Sequence, residues 1–528
     1  MTAPSRLSRS AEPGGRQGAR IASAAPEDRQ ARLRSLEALA FGGNSGADEI
    51  YNAGTALLQM GDWAQAASAL RRAVRLQPGF AHGRLNLGIA LHQIGRTAEA
   101  VVELQAAVVL APDDANALGA LATALEADGR LRAAIAPRLR LARLAPASPA
   151  ALIGLGHVLE RTGRYRAALA VLRRAAEFDP YDPRIHAALA VALYGLGRLA
   201  EARAAADRVL ELRPGDAAAR CTRAFARLRT GDLAAGWRDW EARLEVPEAL
   251  GWTRALIAPR WRGETLPDAT VLLVAEQGFG DTLQMARYAA EVRARVGKVV
   301  LWVPPPLVRL LSAGRPADET APQSGPAPPH DAWAPMFSLP ALFGPAAADA
   351  PAPAPYLRAD PDLVQRWAQR LPQGRPRIGA VWRGSLRSRV NVGRSLPAAA
   401  LRPLAEACGA PLISLQKELT AAERGLDHLL DLGEAFEAGD FADTAAIMQS
   451  LDLIVCCDTA AGHLAGALGR PVWVMLGANP DWRWLQNRGD TVWYPSMRLF
   501  RRGSGESWQA VLARMAAELG SDGFARTP

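Results

Sequence analysis

Between Asp48 and about residue 250, apolar residues return at helical spacing in two blocks per 34 residues. One block precedes and one follows each of Gly61, Gly95, Gly129, Gly163, Gly197 and Gly231. The second block of each unit closes at a proline with the same step: Pro78, Pro112, Pro146, Pro180 and Pro214. Two independent markers sharing one period establish an internal repeat. The spacing predicts helices such as Ile50–Met60 and Ala64–Leu76. The glycine permits the tight turn between them, and the proline cannot continue the second helix. Small residues stand where the paired helices must touch: Gly54, Ala66 and Ala73, then Gly88, Ala100 and Ala107, then Gly156, Ala168 and Ala175. One such pair cannot bury its apolar face alone, but a stack can.

After Trp261 the pattern changes. Short unbroken apolar runs, Val271–Ala275, Val299–Val303, Ile378–Trp382, Leu412–Leu415, Leu453–Cys457 and Val472–Leu476, alternate with helical stretches. Runs of this kind predict parallel strands covered on both faces. The Pro- and Ala-rich stretch 312–355 reads as irregular, exposed loop inside the first of two α/β halves, and a helix Pro361–Leu371 leads into the second. The expected fold class is α plus α/β, an α-solenoid followed by two Rossmann-type lobes with a cleft between facing strand ends. The expected boundaries are a disordered arm 1–26, a repeat superhelix 27–250, a first lobe 251–360, a second lobe 361–512 and a tail 513–528.

Composition narrows the function. In 528 residues, 49% hydrophobic and 22% charged, the chain has the balance of a folded protein. The net charge of +9 is spread thinly. Residues 1–46 carry seven arginines against four acids, and residues 47–250 twenty-six against twenty-two. No cluster tracks a phosphate backbone, so nucleic acid is not an expected partner. The cysteines Cys221, Cys408, Cys456 and Cys457 form no CxxC pair. No apolar run is long enough for a bilayer and the N-terminus lacks a secretory apolar core, so a cytoplasmic setting is expected, with no transmembrane segment. No two of the seven histidines are spaced as a metal pair on one helix face, and neither metal nor cofactor is expected.

Three places carry candidate chemistry. Glu276-Gln277-Gly278-Phe279-Gly280-Asp281 follows a strand and opens a helix Thr282–Arg295. There Gly278 and Gly280 admit close approach of a ligand, and Asp281 would either take a proton from a hydroxyl or simply cap the helix. Cys457-Asp458-Thr459-Ala460-Ala461-Gly462-His463 also joins a strand to a helix, whose free amides and Thr459 hydroxyl suit a diphosphate. His463 lies one turn after Thr459, facing the same cleft or serving as a structural hydrogen-bonder. The third is the arginine loop Arg383, Arg387, Arg389 and Arg394 before Ser395-Leu396-Pro397, which would neutralise phosphate or be solvated surface. Glu276, Gln416 and Lys417 lie near strand ends as further candidates for sugar or nucleotide contacts. Asp360-Pro361-Asp362 imitates a metal-binding DxD, but its proline at a helix start fits capping better.

The period, the small residues and the terminal proline resemble the tetratricopeptide repeat, with five clear units and a degenerate sixth. In that sixth unit Arg223 and Arg227 replace apolar residues, and Trp237, Trp240 and Leu244 supply an apolar face for docking. The resemblance implies a groove that binds a protein or peptide; a spacer or oligomerisation element is the alternative. The three later motifs resemble the heptosyltransferases, glycosyltransferase family 9, which have the two-domain GT-B fold. This resemblance implies Asp281, after Gly280, as catalytic base. It also implies donor-phosphate contacts at Arg394, three residues before Pro397, and at Asp458-Thr459-Ala460-Ala461-Gly462-His463-Leu464. Ala460 stands where that family has glycine, and Arg394 where it has lysine. The layout also looks like a group of bacterial proteins that join such repeats to such a domain, through Trp261-Arg262-Gly263-Glu264, Ser338-Leu339-Pro340, Asp481-Trp482-Arg483-Trp484 and Trp493-Tyr494-Pro495. The implied activity is an inverting, metal-independent glycosyl transfer from a nucleotide sugar to an acceptor presented by the repeats. A non-catalytic adaptor with a degenerate transferase-like domain is the alternative.

Overall fold

The computed structural model of the protein describes residues 26–42, 45–246, 256–343, 354–374, 376–384 and 393–520. Of the expected arm 1–26, only Pro26 falls among them, as the first residue of a helix. The chain divides into two compact units, Met1–Leu189 and Ala190–Pro528, and the division falls within the helix Pro183–Gly195 in sequence.

In the first unit a helix Pro26–Phe41 precedes antiparallel pairs that begin with Ala47–Gln59 and Trp63–Leu76 and continue through Pro149–Arg161 and Tyr165–Phe178. Each pair turns on a repeat glycine in the left-handed region, Gly61 at φ 81° and Gly163 at φ 75°. That conformation disfavours any residue with a Cβ. Asp62 and Asp114 cap the helices that follow them by accepting from Gln65 N–H (3.2 Å) and Asn116 N–H (2.8 Å). The small residues sit at the helix crossings as the spacing predicts. A Cβ on Gly54 would fall 2.8 Å from Leu70 Cγ, and one on Gly156 only 2.6 Å from Leu172 Cδ2.

The second unit begins with the last repeat helices, Leu199–Leu212, Ala217–Thr230 and Leu233–Trp240. The two arginines at apolar positions have a reason. Arg223 holds buried Asp239 through two 2.7 Å hydrogen bonds, and Arg227 adds a third at 2.7 Å. Trp237 then meets Trp482 edge-on at 5.1 Å and Phe337 at 6.0 Å, so this helix docks on the α/β part through its indoles.

Among the described residues, ten strands form two parallel sheets. In the first, β1 (Leu266–Val274) lies between β2 (Val296–Val303) and β4 (Ala332–Pro335), with β3 (Glu319–Pro322) beyond β2. In the second, β8 (Leu453–Cys457) lies between β5 (Ile378–Val381) and β9 (Val472–Leu476). Beyond β5 come β6 (Leu412–Ser414) and β7 (Leu429–Leu430), and beyond β9 comes β10 (Met497–Arg501). All six apolar runs are strands. Three expectations are corrected. The stretch 312–355 holds β3, buried β4 and the helix Leu339–Leu342. Its prolines hid this, because Pro322 and Pro335 close edge strands where a missing N–H is tolerated. Residues 513–520 are not tail: the helix Trp508–Gly520 continues through them, burying Val511, Leu512, Met515 and Leu519 against the second sheet. The helix expected over Thr282–Arg295 is broken into Phe279–Met285, a tight turn at Ala286–Tyr288, and Ala289–Arg293.

Replacing Gly156 by valine should lower the stability of the repeat unit by about 1–3 kcal/mol, because the branched side chain must displace Leu172; chemical denaturation followed by circular dichroism reads this. A second prediction concerns Glu160, which is buried with Oε1 unpartnered, and burial pushes its carboxyl up from 4.5 to about 8. The unfolded chain ionises first, so stability is lost as pH rises from 4.5 through 8. Glu160→Gln should therefore match the parent near pH 4 and exceed it by on the order of 2 kcal/mol at pH 9. Denaturation midpoints across that range check it.

Candidate functional site

The first candidate turn leaves β1 and enters the helix Phe279–Met285. Asp281 does cap this helix: its Oδ2 accepts from Gly278 N–H at 2.8 Å. Its Oδ1 is engaged by the Arg483 guanidinium, and the side chain stays about one-fifth exposed (21%). Arg483 also donates to Asp481 at 2.6 Å and to Gln284 Oε1 at 2.7 Å, and lies 4.3 Å from the Trp482 ring. Arg394 approaches Asp481 at 3.9 Å and Asp458 at 3.6 Å. Charges of alternating sign thus run Asp281, Arg483, Asp481, Arg394, Asp458, from the first sheet's turn to the end of β8.

The second candidate turn supplies the other wall. Thr459 donates its hydroxyl to Cys457 C=O at 3.3 Å instead of capping its own helix, Ala460–Ala467. Among the described residues the Ala460 and Ala461 amides find no acceptor, as a helix start allows. Asp458 is buried, with Oδ2 3.6 Å from Arg394 Nε, just beyond hydrogen-bond reach; burial and Asp481 raise its carboxyl, against the opposing pull of Arg394. His463 is 5% exposed, bonded through Nδ1 to the Tyr494 hydroxyl at 2.9 Å and stacked on Trp484 at 5.4 Å. Burial, with Arg483, Arg287 and Arg394 nearby, holds its imidazole well below the ordinary range, so it is neutral.

The two turns are in contact. A Cβ on Gly280 would lie 2.8 Å from His463 Cδ2 and 3.4 Å from Ala460 Cα. Gly278, Gly280, Asp281, Arg394, Asp458, Thr459, Ala460 and His463 therefore belong to one constellation, assembled from both sheets.

The weaker candidates are spent elsewhere. Glu276 lies beneath the turn, accepting from buried Arg243 at 2.8 and 2.9 Å and from Phe337 N–H at 3.1 Å, so it ties the last repeat to the first sheet. Gln416 accepts from Arg383 N–H at 3.1 Å and donates to Lys417 C=O at 3.2 Å. The Lys417 ammonium sits 3.7 Å over the Phe436 ring and donates to the Phe436 and Gly439 carbonyls. Arg383 pairs with Glu423, while Arg387 and Arg389 lie outside the described residues. Asp360 caps its helix through Asp362 N–H at 2.9 Å. Among the described residues no three His, Cys, Asp or Glu side chains gather as a metal site. No helix among them is long and apolar enough to cross a membrane. Arg483 and Tyr494 are the residues that motif reading missed. Their segments entered only as part of a resemblance that gave neither residue a role, and the indoles beside them, Trp482, Trp484 and Trp493, are buried packing.

Tetratricopeptide repeat models match residues 51–117, 120–183 and 161–224. The chain therefore carries tetratricopeptide repeats, which form a protein-interaction scaffold, followed by a region of parallel sheets. The chain is 25% identical over 323 residues to Protein FlbA of Caulobacter vibrioides, a match over 56% of this chain and 54% of that protein, so it spans about half the length of its curated relative. Among solved structures it is similar to a tetratricopeptide repeat protein from Parabacteroides merdae (19% identity, 38% of this chain and 78% of that one, TM-score 0.35). It is also similar to YrrB, described as a repeat protein with an unusual peptide-binding site (19% identity, 36% and 99%, TM-score 0.30).

Glu276→Leu removes one of the two carboxylates that hold buried Arg243, leaving Glu241 at 2.9 Å, and its cost should be about 2 kcal/mol. Tryptophan fluorescence during denaturation will report it, since Trp237 and Trp240 sit at the same junction.

Proposed function

We propose that the α/β part is a nucleotide-sugar glycosyltransferase of GT-B type and that the repeats hold its protein or peptide acceptor. The observation that carries this reading is the contact of Gly280 with His463 and Ala460, which brings the turn that bears Asp281 against an open helix start, whose preceding Asp458 lies 3.6 Å from Arg394. In the reaction an acceptor hydroxyl gives its proton to Asp281, and its oxygen forms a bond to the anomeric carbon. The bond from that carbon to the diphosphate oxygen breaks on the opposite face, and the electron pair leaves with the phosphate. The Ala460 and Ala461 amides, the Thr459 hydroxyl and Arg394 would receive the growing charge. Arg483 fixes the carboxylate's direction and must share it with the incoming hydroxyl. An acceptor bound along the repeats gains local concentration at the cleft without tight binding at the reacting group.

A second reading, a binding adaptor that transfers nothing, is favoured by one feature: both Asp281 oxygens already have partners.

The two readings part on one experiment. With nucleoside diphosphates and their sugars as probes, a transferase shows a thermal shift and nucleotide release, and Asp281→Asn lowers turnover by about 10²–10⁴ while keeping the shift. An adaptor shows the shift with no release in either protein. If no nucleotide shifts the melting temperature, both nucleotide readings fail and the repeat scaffold alone remains.

A further inference from the structure

The neutral His463 ring has one proton to place on two nitrogens, and the surrounding hydroxyls decide where it goes. Tyr356 donates its only hydroxyl proton to Leu283 C=O at 3.0 Å and accepts from Arg287 Nη2 at 3.3 Å. It has nothing left to donate to Tyr494, whose oxygen is 3.5 Å away. The 2.9 Å bond runs either from Tyr494 O–H to His463 Nδ1 or the other way, and the other way leaves the Tyr494 proton only the Tyr356 oxygen at 3.5 Å, the far limit of such a bond. A phenol is also the better donor and an imidazole nitrogen the better acceptor, which favours Tyr494 as donor. Burial raises the Tyr494 phenol well above its ordinary range, so the proton stays available.

The ring of Tyr494 cannot drift. A side chain on Gly466 would run into it, and the Arg287 guanidinium lies 4.9 Å from its centre. Arg287 is itself fixed by two 3.1 Å bonds to Trp493 C=O and one of 3.0 Å to Gln284 C=O. Trp484 holds the imidazole plane from the other side.

We propose that Tyr494 is a positioning residue that keeps His463 in the tautomer with Nδ1 as acceptor and Nε2–H as donor, turned to the Gly278–Asp281 turn. Nε2 lies on that side, 3.5 Å from where a Gly280 Cβ would be, and makes no hydrogen bond among the described residues. The Nε2–H is thereby a fixed, uncharged donor for an oxyanion in the constellation; on the proposed transferase reading, on which this role rests, that oxyanion is the departing diphosphate. A neutral donor adds stabilisation without further charge beside Arg483 and Arg394.

The test is nitrogen NMR of the full chain labelled in histidine, with the His463 signals identified by their loss in His463→Gln. In the parent, Nε2 should carry the proton and Nδ1 should not. Tyr494→Phe keeps the ring and removes the hydroxyl, so the tautomers should mix or invert. Tyr356→Phe, which loses a hydroxyl whose proton points elsewhere, should leave the His463 signals unchanged. A parent protonated at Nδ1, or a Tyr494→Phe spectrum identical to the parent, overturns the proposal. Should Tyr494→Phe fail to fold, the parent spectrum still decides, since Nδ1–H there is incompatible with the assignment. In the nucleotide-release assay, Tyr494→Phe should lower kcat about tenfold with KM little changed. Expected NMR signals with no turnover in any variant would leave the tautomer assignment standing and count against the transferase reading alone.

Discussion

How close the two parallel sheets come is set by one contact, the Gly280 backbone against the edge of the His463 imidazole and the start of the helix Ala460–Ala467. The absence of a side chain at Gly280 is what lets the first sheet's turn reach that helix start. Once the walls meet, the arginines complete the junction. Arg483 and Arg394 lie between three aspartates, so opposite charges alternate across the seam. Arg287 does a related job with aromatic rings and carbonyl oxygens in place of carboxylates.

The repeats were the most legible part of the chain because their determinants are local. A turn glycine, a terminal proline and a small residue at the crossing each act within about one helix pair, and Gly54 and Gly156 lie against Leu70 and Leu172 of the second helix in their own pairs. The central strands were equally plain, since burial on both faces leaves an unbroken apolar run. The edge strands were not. β3 and β4 lie among prolines, β7 is two residues long, and β10 carries Arg498 and Arg501. Edge positions are where such residues are tolerated, so the pattern that marks a central strand is missing there.

At the site, motif reading located both turns but not what neutralises them. Arg483 and Tyr494 lie some two hundred and thirty-some residues respectively from the side chains they orient, Asp281 in the first case and His463 in the second. Nothing in local spacing links those pairs. Glu276, Gln416 and Lys417 meet the same limit: each stands near a strand end, yet each takes a partner from a segment distant in the chain. Proximity to a strand end places a residue near a cleft without saying which way its side chain turns.

The indole of Trp237 is covered by Phe337 and, far later in the chain, by Trp482. During synthesis the helical pairs can close as they emerge, because each needs only its neighbour, whereas this aromatic surface must wait until nearly all of the second sheet has left the ribosome. Until then the newborn polypeptide carries a sticky end on an otherwise finished solenoid, and the interval before docking is when it is most open to aggregation or to capture by a chaperone.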